Sequence, residues 1–295
     1  MLNNVWTVIL AAGEGRRLSS VTGGVPKQFW RVPGGRSLLN DTRHRFAPFS
    51  PMSRMVIVVD RSHRPHLAST EAARSQGTVV YQPLDRGTAV GVLLGLTPIV
   101  AAEPDAIVVM TPADHGVTDS AVFRSGLAEA LRHVAATDGI VLFGVEPSAP
   151  LPDYGWISTG PAANIRGIRS VTAFVEKPVL ETAACLYTSG GVWNTMMVAA
   201  RARTLRDLCL RHLPALAEVF GRAEVLPPAA RERYLEQVYP ALPSFDFSRD
   251  VLTPADRLQT YVWPVSIGWS DLGTPERLFE WQGRQSTGGR TTSAA

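Results

Sequence analysis

The sequence predicts an α/β fold whose central sheet is mixed, mostly parallel and flanked by helices. Short runs rich in Val, Ile and Leu alternate with helical patterns through the first half of the chain, as parallel strands require. The 295 residues are 45% hydrophobic and 19% charged, which provides enough apolar material for a large core. We expect one domain over residues 1–282, with a first half at 1–145, a second half at 146–282, and a disordered tail over 283–295.

Composition limits the class of function. The formal net charge is only +3 and no lysine-rich run occurs, so no nucleic-acid partner is predicted. No apolar run approaches the roughly 20 residues that span a bilayer, and no basic and apolar leader begins the chain. We therefore expect a cytoplasmic protein with no membrane partner. The two cysteines, Cys185 and Cys209, are too few for a disulfide framework, and both are expected in the core.

In the first half, five apolar, β-branched runs are typical of buried strands, and the segments between them have helical patterns. The predicted strands are residues 5–12, 54–60, 78–82, 106–111 and 139–145. The predicted helices are residues 37–49, 63–75, 88–102 and 118–136. In sheets of this kind, ligands bind beyond the carboxyl ends of the strands.

In the second half the alternation is looser. The predicted strands are residues 154–159, 168–175, 191–199 and 260–266, of which the first two are expected to pair with each other. The predicted helical segments are residues 180–187, 201–239 and 275–282. We find no internal repeat and no linker that would divide the chain.

The loop after the first strand is the most informative segment. It reads Gly-Glu-Gly-Arg-Arg over residues 13–17, and Lys27 follows ten residues later. Glycines allow backbone N–H groups to approach a ligand closely, and arginine and lysine suit a polyanion such as a nucleoside triphosphate. The loop matches neither of two better-known phosphate-binding motifs. A P-loop needs Gly-Lys-Ser/Thr, which the chain lacks, and a dinucleotide-binding loop needs glycine where Leu18 stands.

This loop is Leu-Ala-Ala-Gly-x-Gly-x-Arg-Leu, and Pro-Lys-Gln-Phe follows over residues 26–29. The pair of elements resembles the signature of the sugar-1-phosphate nucleotidyltransferases. Pro-Lys-Gln-Phe looks most like the mannose-1-phosphate guanylyltransferases among them. The resemblance implies a Rossmann-like, GT-A-like fold, and we expect no C-terminal β-helix of the kind that some relatives carry. It also implies catalytic roles for Arg17 and Lys27, and nucleotide binding by Ala11, Ala12, Gly13 and Gly15.

A second stretch, residues 81–89, follows a strand and opens a helix. Gln82 offers a donor and an acceptor, which is what recognition of a base edge requires. Thr88 is expected to cap the helix, whose free N–H groups favour phosphate. The family has a similar Gln-Pro and Arg-x-Thr-Ala element, and the resemblance implies nucleotide contacts from Gln82, Arg86, Gly87 and Thr88.

A third element, Thr-Pro-Ala-Asp-His over residues 111–115, ends the fourth strand. An acidic side chain at this position is placed to hold Mg²⁺ on phosphates. Pro-Ala-Asp-His closely matches the guanylyltransferases, and by resemblance Gln28 and this motif favour GTP and mannose 1-phosphate. Trp-Ser-Asp-Leu-Gly over residues 269–273 resembles the element that supplies a second metal carboxylate, so Asp114 and Asp271 are the expected ligands. His115 could contact substrate or only hydrogen-bond its turn.

Three elements of the second half, at residues 153–157, 174–178 and 191–194, resemble the sugar site of the family. The resemblance implies that the sugar and its phosphate are bound by Gly155, Glu176, Lys177 and Asn194. The chain departs from the family at residues 195–196, where Thr-Met replaces Ser-Gly. Phe-Asp-Phe over residues 245–247 is only weakly similar to the Ser-Ile-Asp-Tyr segment, so Asp246 has either a sugar-site role or a structural one.

The resemblance implies transfer of GMP from GTP to mannose 1-phosphate, with Mg²⁺ as cofactor and pyrophosphate as the second product. The attacking phosphate has a second pKa of about 6 and is already an anion, so no nucleophilic triad is required. Three alternatives stay open: another hexose 1-phosphate or base, a catalytically silent nucleotide-sensing paralogue, and a cytidylyltransferase-like enzyme for a non-sugar phosphate. The oligomeric state is also open, with a homodimer as one option.

Overall fold

The computed structural model describes residues 4–32, 35–70, 72, 76–162 and 167–288. Within these residues, nine strands form one sheet. The strands are β1 (Val5–Ala11), β2 (Met55–Asp60), β3 (Thr78–Gln82), β4 (Ile107–Pro112), β5 (Val141–Val145), β6 (Trp156–Ala162), β7 (Ile168–Val175), β8 (Val192–Arg201) and β9 (Gln259–Trp263). All nine coincide with strands expected from the sequence, within a few residues at each end.

Helices cover both faces of the sheet and, in the described part of the chain, none is long and apolar enough to cross a bilayer. They are α1 (Ser19–Thr22), α2 (Leu38–Phe46), α3 (Arg64–Ala68), α4 (Gly87–Ala102), α5 (Ser120–Thr137), α6 (Leu180–Thr188), α7 (Ala202–His212), α8 (Ala217–Val225), α9 (Pro228–Val238) and α10 (Pro275–Gly288). Side chains cap the N-termini of α2 and α5. The Ser37 hydroxyl accepts from the Asn40 N–H, and the Asp119 carboxylate accepts from two N–H groups of α5.

The sheet is mixed, as predicted, and its order is β3-β2-β1-β4-β8-β5-β9-β7-β6. The first four strands pair in parallel, because a helical crossover separates each of them from its neighbour. Beyond β4 the parallel pattern is limited to β5 with β9. Strand β8 runs antiparallel between β4 and β5, and β6 pairs antiparallel with β7, as predicted. The mostly parallel arrangement therefore describes the first half of the chain.

The core has two layers, one on each face of the sheet. Helix α4 lies on one face and is apolar on all sides, because α7 and α8 cover the surface that it turns away from the sheet. On the other face, α5 packs against β8 and β9, where the rings of Phe123, Phe143 and Trp263 stack 4.8–5.2 Å apart. These layers fix the strand ends on which a ligand site can be built.

Four expectations differ from the structure. Residues 265–267 form a 3₁₀ turn after β9, where proline 264 ends the strand. Helix α3 stops at Ala68, and part of the helix expected to residue 75 lies outside the described residues. Helix α10 continues to Gly288, into the segment expected to be a disordered tail, and residues 289–295 lie outside the description. Cys209 is buried as expected, but Cys185 is exposed on α6.

The parallel strands of the first half end at one edge of the sheet. In the β1–β4 pair, Leu10 lies opposite Pro112, and in the β2–β3 pair, Asp60 lies opposite Gln82. The segments that leave this edge are the loop at residues 12–15, the turn at 83–86 and the segment at 113–118. The informative motifs of the first half therefore meet at one place.

Candidate active site

A cleft of about 470 Å³ opens at this edge of the sheet. Both halves contribute to its walls, because Met196 and Asp246 face the loops that follow β1, β3 and β4. The residues that line it are Leu10, Ala11, Ala12, Gly13, Gln28, Val58, Gln82, Asp85, Gly87, Thr88, Gly91, Pro112, Asp114, His115, Met196 and Asp246. A cleft of this size suits a nucleotide-sized ligand.

The loop after β1 is held against the segment that carries Lys27. Gly15 has a φ of +63°, and a Cβ at this position would lie 2.8 Å from the Lys27 Cβ, so only glycine fits here. Gln28 is buried, and its Nε2 donates to the carbonyls of Ala11 at 2.8 Å and Gly13 at 2.9 Å. Gln28 was associated with GTP in the sequence, but its amide N–H groups stabilise the loop itself.

Arg17 follows the same loop in a short 3₁₀ turn, Arg16–Leu18. Its side chain is exposed and is not among the residues lining the cleft. The neighbouring Leu18 is buried in a small cluster with Leu272 and Leu278, which anchors the turn against the segment containing Asp271. The Arg17 guanidinium is therefore presented from a fixed backbone, and its catalytic role remains a prediction.

Lys27 joins the two carboxylate-bearing segments. Its buried ammonium group lies 3.1 Å from Asp114 Oδ2 and donates to the carbonyl of Asp271. The backbone makes a second link, since Gly116 and Ser270 form an antiparallel bridge. Asp114 follows β4 and Asp271 lies more than 150 residues later, yet the fold brings their segments together. That the two carboxylates bind one metal ion remains a prediction.

The electrostatics of this pair keep both carboxylates ionised. Burial alone would raise the pKa of Asp114, but the ammonium group of Lys27 lowers it below its ordinary value. Burial would also raise the pKa of Asp271, and the positive groups around it, including Arg277 and Lys27, lower it below its ordinary value. The site thus has two anionic oxygen donors balanced by two cationic side chains.

These donors fit a magnesium ion that is shared with a phosphate ligand. Mg²⁺ typically takes one or two carboxylates from the protein and completes its shell with water and substrate phosphates. Asp114 and Asp271 provide two carboxylates, and no cluster of three or more His, Cys, Asp and Glu side chains suited to a metal occurs in the described part of the chain. The donor set therefore matches an ion held jointly with phosphate oxygens.

His115 lies beside Asp114 as a neutral imidazole. Burial lowers its pKa to about 4, so the ring is uncharged at neutral pH. Its ring packs edge-on against Trp269, with centroids 5.4 Å apart, and the Arg45 guanidinium donates to its backbone carbonyl at 3.1 Å. The buried Nδ1 has no hydrogen-bond partner within the described residues. The turn is therefore held by the backbone of His115, and its ring lines the cleft.

Gln82 ends β3 with a buried side chain that lines the cleft. Its Oε1 lies close to Gly91 on α4, 3.2 Å from where a Cβ would stand at that position. Because residue 91 is glycine, the Gln82 side-chain amide has space within the cleft. This placement agrees with a role in base recognition, which remains a prediction.

The start of α4 differs from the expected phosphate site. The first N–H groups are used within the protein, since Gly87 N donates to Asp85 Oδ1 at 2.8 Å and Ala89 N donates to the Phe245 carbonyl. Thr88 does not cap the helix, because its hydroxyl donates to Asp246 Oδ2 at 3.2 Å and accepts from Phe247 N. A carboxylate next to this helix end disfavours phosphate and favours neutral hydroxyl donors.

Two residues predicted to contact the nucleotide or the sugar, Arg86 and Lys177, are not among the residues that line the cleft. The Arg86 guanidinium donates to the carbonyl of Pro240. Lys177 has a φ of +43°, is 68% exposed and lies 3.6 Å from Glu176 Oε1. Their expected ligand contacts remain predictions, and the structure gives Arg86 a role in holding the turn at residues 239–241.

The predicted sugar residues form a cluster beside the cleft. Asn194 N donates to the Gly155 carbonyl at 2.8 Å, and a Cβ at residue 155 would lie 2.7 Å from Glu176 Oε2. Glycine at this position therefore lets the Glu176 carboxylate approach the backbone. Burial raises the pKa of Glu176, which is typical of a carboxylate that has lost water without gaining a full set of donors.

Met196 connects this cluster to the cleft. It has a φ of +60°, a left-handed conformation that glycine adopts more easily, and glycine is what the resembling family has here. Asn194 Oδ1 accepts from the Met196 N–H at 3.2 Å, and Ser248 Oγ lies 3.2 Å from its sulfur atom. These contacts hold the strained residue, whose side chain lines the cleft.

Sequence reasoning did not identify two side chains that hold Asp271. Tyr154 donates to Asp271 Oδ1 at 3.0 Å, and Arg277 on α10 donates to both carboxylate oxygens at 3.2 and 3.3 Å. Tyr154 lies in the Asp-Tyr-Gly-Trp-Ile element, which was associated only with the sugar. Arg277 stands in an ordinary helical pattern, and no local signal distinguishes it from other helix arginines.

Comparison with known proteins supports the family assignment. The family model described as nucleotidyl transferase matches residues 6–286. The mannose-1-phosphate guanylyltransferase of Salmonella montevideo is 30% identical, with 96% of this chain and 61% of that protein covered. The xanthan biosynthesis protein XanB of Xanthomonas campestris is 28% identical, with 95% and 60% covered. The chain thus spans about 60% of the length of these curated relatives.

Among solved structures, a Thermus thermophilus protein described as a mannose-1-phosphate geranyltransferase superposes with a TM-score of 0.79. It is 29% identical, and the match covers 92% of this chain and 76% of that one. The superposition confirms the predicted fold class, and the described residues include no β-helix. With a family model that matches nearly its whole length, the chain belongs to the nucleotidyl transferase family.

Proposed function

We propose that the protein transfers GMP from GTP to mannose 1-phosphate and releases pyrophosphate. The observation that carries this proposal is that Lys27 contacts Asp114, which lines a nucleotide-sized cleft, and also the backbone carbonyl of Asp271. The curated name of the Salmonella montevideo relative, mannose-1-phosphate guanylyltransferase, supports GTP and mannose 1-phosphate as the substrates. The broader assignment, nucleotidyl transfer to a sugar 1-phosphate, is supported by the family match as well.

The reaction is a direct displacement at phosphorus. An oxygen of the sugar phosphate attacks the α-phosphorus, and the bond to the β-phosphate oxygen breaks, so that pyrophosphate leaves with the electron pair. No covalent enzyme intermediate is needed, because the nucleophile is already an anion. The protein must bring two polyanions together and stabilise the charge on the leaving group, which makes positioning and electrostatics the main sources of acceleration.

Arg17 and Lys27 supply positive charge to different phosphates of the substrates. In this proposal, loop N–H groups of residues 13–17 cradle the β- and γ-phosphates. Arg17, whose side chain is exposed, balances charge on the departing pyrophosphate. Lys27 lies between the two carboxylate segments, where it reaches the α-phosphate and the incoming sugar phosphate. Asp114 and Asp271 would hold Mg²⁺, which supplies charge neutralisation and orientation of the phosphate oxygens when bound.

Different residues recognise the two organic parts of the substrates. Gln82 recognises the base from β3, and Thr88 with Asp246 accepts and donates hydrogen bonds to ribose hydroxyls. Glu176 and Asn194 orient the hexose, and the close approach at Gly155 sets the position of the Glu176 carboxylate. The exposed Lys177 neutralises the sugar phosphate as it enters.

The direct test is pyrophosphate release with Mg²⁺, in which GTP, ATP, UTP, CTP and dTTP are each combined with mannose, glucose and N-acetylglucosamine 1-phosphates. We expect release only with GTP and mannose 1-phosphate. Release with another pair would overturn the substrate assignment and keep nucleotidyl transfer. Nucleotide binding without release from any pair would contradict the enzymatic proposal itself and favour a nucleotide sensor.

A further inference from the structure

Arg277, the helix arginine bound to Asp271, makes more contacts than a surface ion pair needs. Its side chain is 17% exposed, and its Nη1 donates to both carboxylate oxygens of Asp271. The other terminal nitrogen donates to Asp153 Oδ2 at 3.0 Å. The guanidinium carbon also lies 4.6 Å from the ring centroid of Tyr154, which is a favourable cation–π distance.

These contacts place one guanidinium between two functional parts of the site. Asp271 is one of the two carboxylates suited to Mg²⁺, and residues 153–155 form the turn that leads into the sugar cluster through Gly155. Tyr154 closes the connection, since its hydroxyl donates to the same Asp271 oxygen that Arg277 contacts. A displacement of the turn at residues 153–155 would therefore also move the Asp271 carboxylate.

We propose that Arg277 is a positioning residue that couples the sugar-binding turn to the Asp271 carboxylate. The inference rests on the proposed function, because it assigns sugar and metal roles to the two parts that Arg277 joins. Arginine suits this position, since its planar fork can bond two carboxylates while its face lies on an aromatic ring. Lysine keeps the charge but cannot make all of these contacts at once.

The coupling predicts an unequal effect on the two substrates. In Arg277→Gln, the KM for the sugar 1-phosphate should rise and kcat should fall, with a combined loss in kcat/KM of about tenfold to a hundredfold. The KM for the nucleotide should rise less than the KM for the sugar 1-phosphate, because only the Mg²⁺-dependent part of nucleotide binding depends on Asp271, whereas Gln82 and Thr88 line a cleft that Arg277 does not. Arg277→Lys should recover part of the loss.

The experiment compares Arg277→Gln and Arg277→Lys with Arg284→Gln. Arg284 lies on the same helix, is 60% exposed and pairs with Glu280, so it controls for loss of a helix arginine. Tyr154→Phe provides a milder second variant that removes one hydroxyl and should shift sugar kinetics in the same direction. Steady-state kinetics with each substrate varied are combined with calorimetric titration of nucleotide with and without Mg²⁺.

We expect the Mg²⁺-dependent gain in nucleotide affinity to shrink in Arg277→Gln and to stay at the wild-type level in Arg284→Gln. Equal increases in both KM values, or a loss that Arg284→Gln reproduces, would overturn the coupling. If the wild-type protein releases no pyrophosphate with any pair, the proposed function fails, and the calorimetric comparison still decides the role of Arg277. In that case, an Arg277→Gln protein whose nucleotide affinity gains as much from Mg²⁺ as the wild type would overturn the positioning role of Arg277.

Discussion

In the first half, residues 1–145, which we propose as the nucleotide half, the candidate site residues directly follow parallel strands. In the second half, residues 146–282, which we propose as the sugar half, they depend on contacts between distant segments. The loop after β1, Gln82 and Asp114 each stand within a few residues of a strand end. In contrast, Gly155, Glu176 and Asn194 come from three separate strands or turns, and Asp271 lies on a loop held by Arg277. The first half obtains its site from topology, and the second obtains it from side-chain contacts.

This difference has a consequence for how each half responds to substitution. A strand-end residue in the nucleotide half can be changed while the sheet keeps its neighbours in place. A residue of the sugar half belongs to a hydrogen-bond network, so its substitution also displaces the residues that it contacts. The three predictions that follow test this contrast, in decreasing order of expected effect.

The largest effect should come from Arg17→Ala. The side chain is exposed, so its removal should leave the melting temperature unchanged, while kcat falls by about 10²–10³ because a contact to the leaving pyrophosphate is lost. Pyrophosphate release and thermal unfolding measure the two quantities. Arg211→Ala, which removes an arginine that is 65% exposed and pairs with Asp256, is the matched control. A folded Arg17→Ala protein with near-normal kcat would remove Arg17 from the mechanism.

The second effect concerns His115 at the boundary between the halves. Its pKa in the folded protein is about 4, against an ordinary value of 6.5, so the folded state resists protonation. Below pH 6.5 the unfolded chain binds a proton at His115 that the folded protein does not bind, so protonation favours unfolding. The folded state is therefore most stable above pH 6.5 and loses stability as the pH falls toward 4. The resulting loss in free energy of unfolding between pH 7 and pH 5 is about 2 kcal/mol.

Urea unfolding at the two pH values measures this loss. In His115→Gln the histidine contribution disappears, and the difference between the two pH values should be smaller by about 2 kcal/mol. His133→Gln, which removes a histidine on helix α5 that contacts Gln259, is a control for the loss of any histidine. The same pH dependence in wild type and His115→Gln would contradict a buried neutral imidazole at this position.

The smallest effect should come from Glu176→Gln in the sugar cluster. The substitution keeps the shape but removes the charge of a half-buried acceptor, so the KM for mannose 1-phosphate should rise about tenfold, equivalent to about 1.4 kcal/mol. The KM for GTP should change little. Glu181→Gln on the exposed first turn of α6 is the control. A parallel rise in both KM values would mean that the two halves do not divide substrate recognition.

The contrast between the halves also explains how much the sequence could predict. Periodicity and strand-end motifs located all nine strands and the segments carrying Lys27, Gln82 and Asp114, because these features are local. The antiparallel insertion of β8 between β4 and β5 was not predicted, since strand order depends on pairings between residues far apart in the sequence.

Side-chain partners were the least predictable part of the site. The hydrogen bonds of Gln28 to its own loop were not predicted, and Thr88 was expected to cap α4 but contacts Asp246. Arg277 had no local signal at all, because its role depends on where α10 packs against the sugar turn. Each of these cases is decided by tertiary contacts that propensity and spacing do not encode.

The central claim is that the two halves bring Asp114 and Asp271 to one shared metal position on the phosphates. It is tested most directly by calorimetric titration of GTP with and without Mg²⁺ into wild type, Asp114→Asn, Asp271→Asn and the double variant. Asp256→Asn, at an exposed aspartate, is the control. We expect each single variant to lose most of the Mg²⁺-dependent gain in affinity, and the double variant to lose no more. Additive losses, or a gain that either single variant retains, would contradict the account.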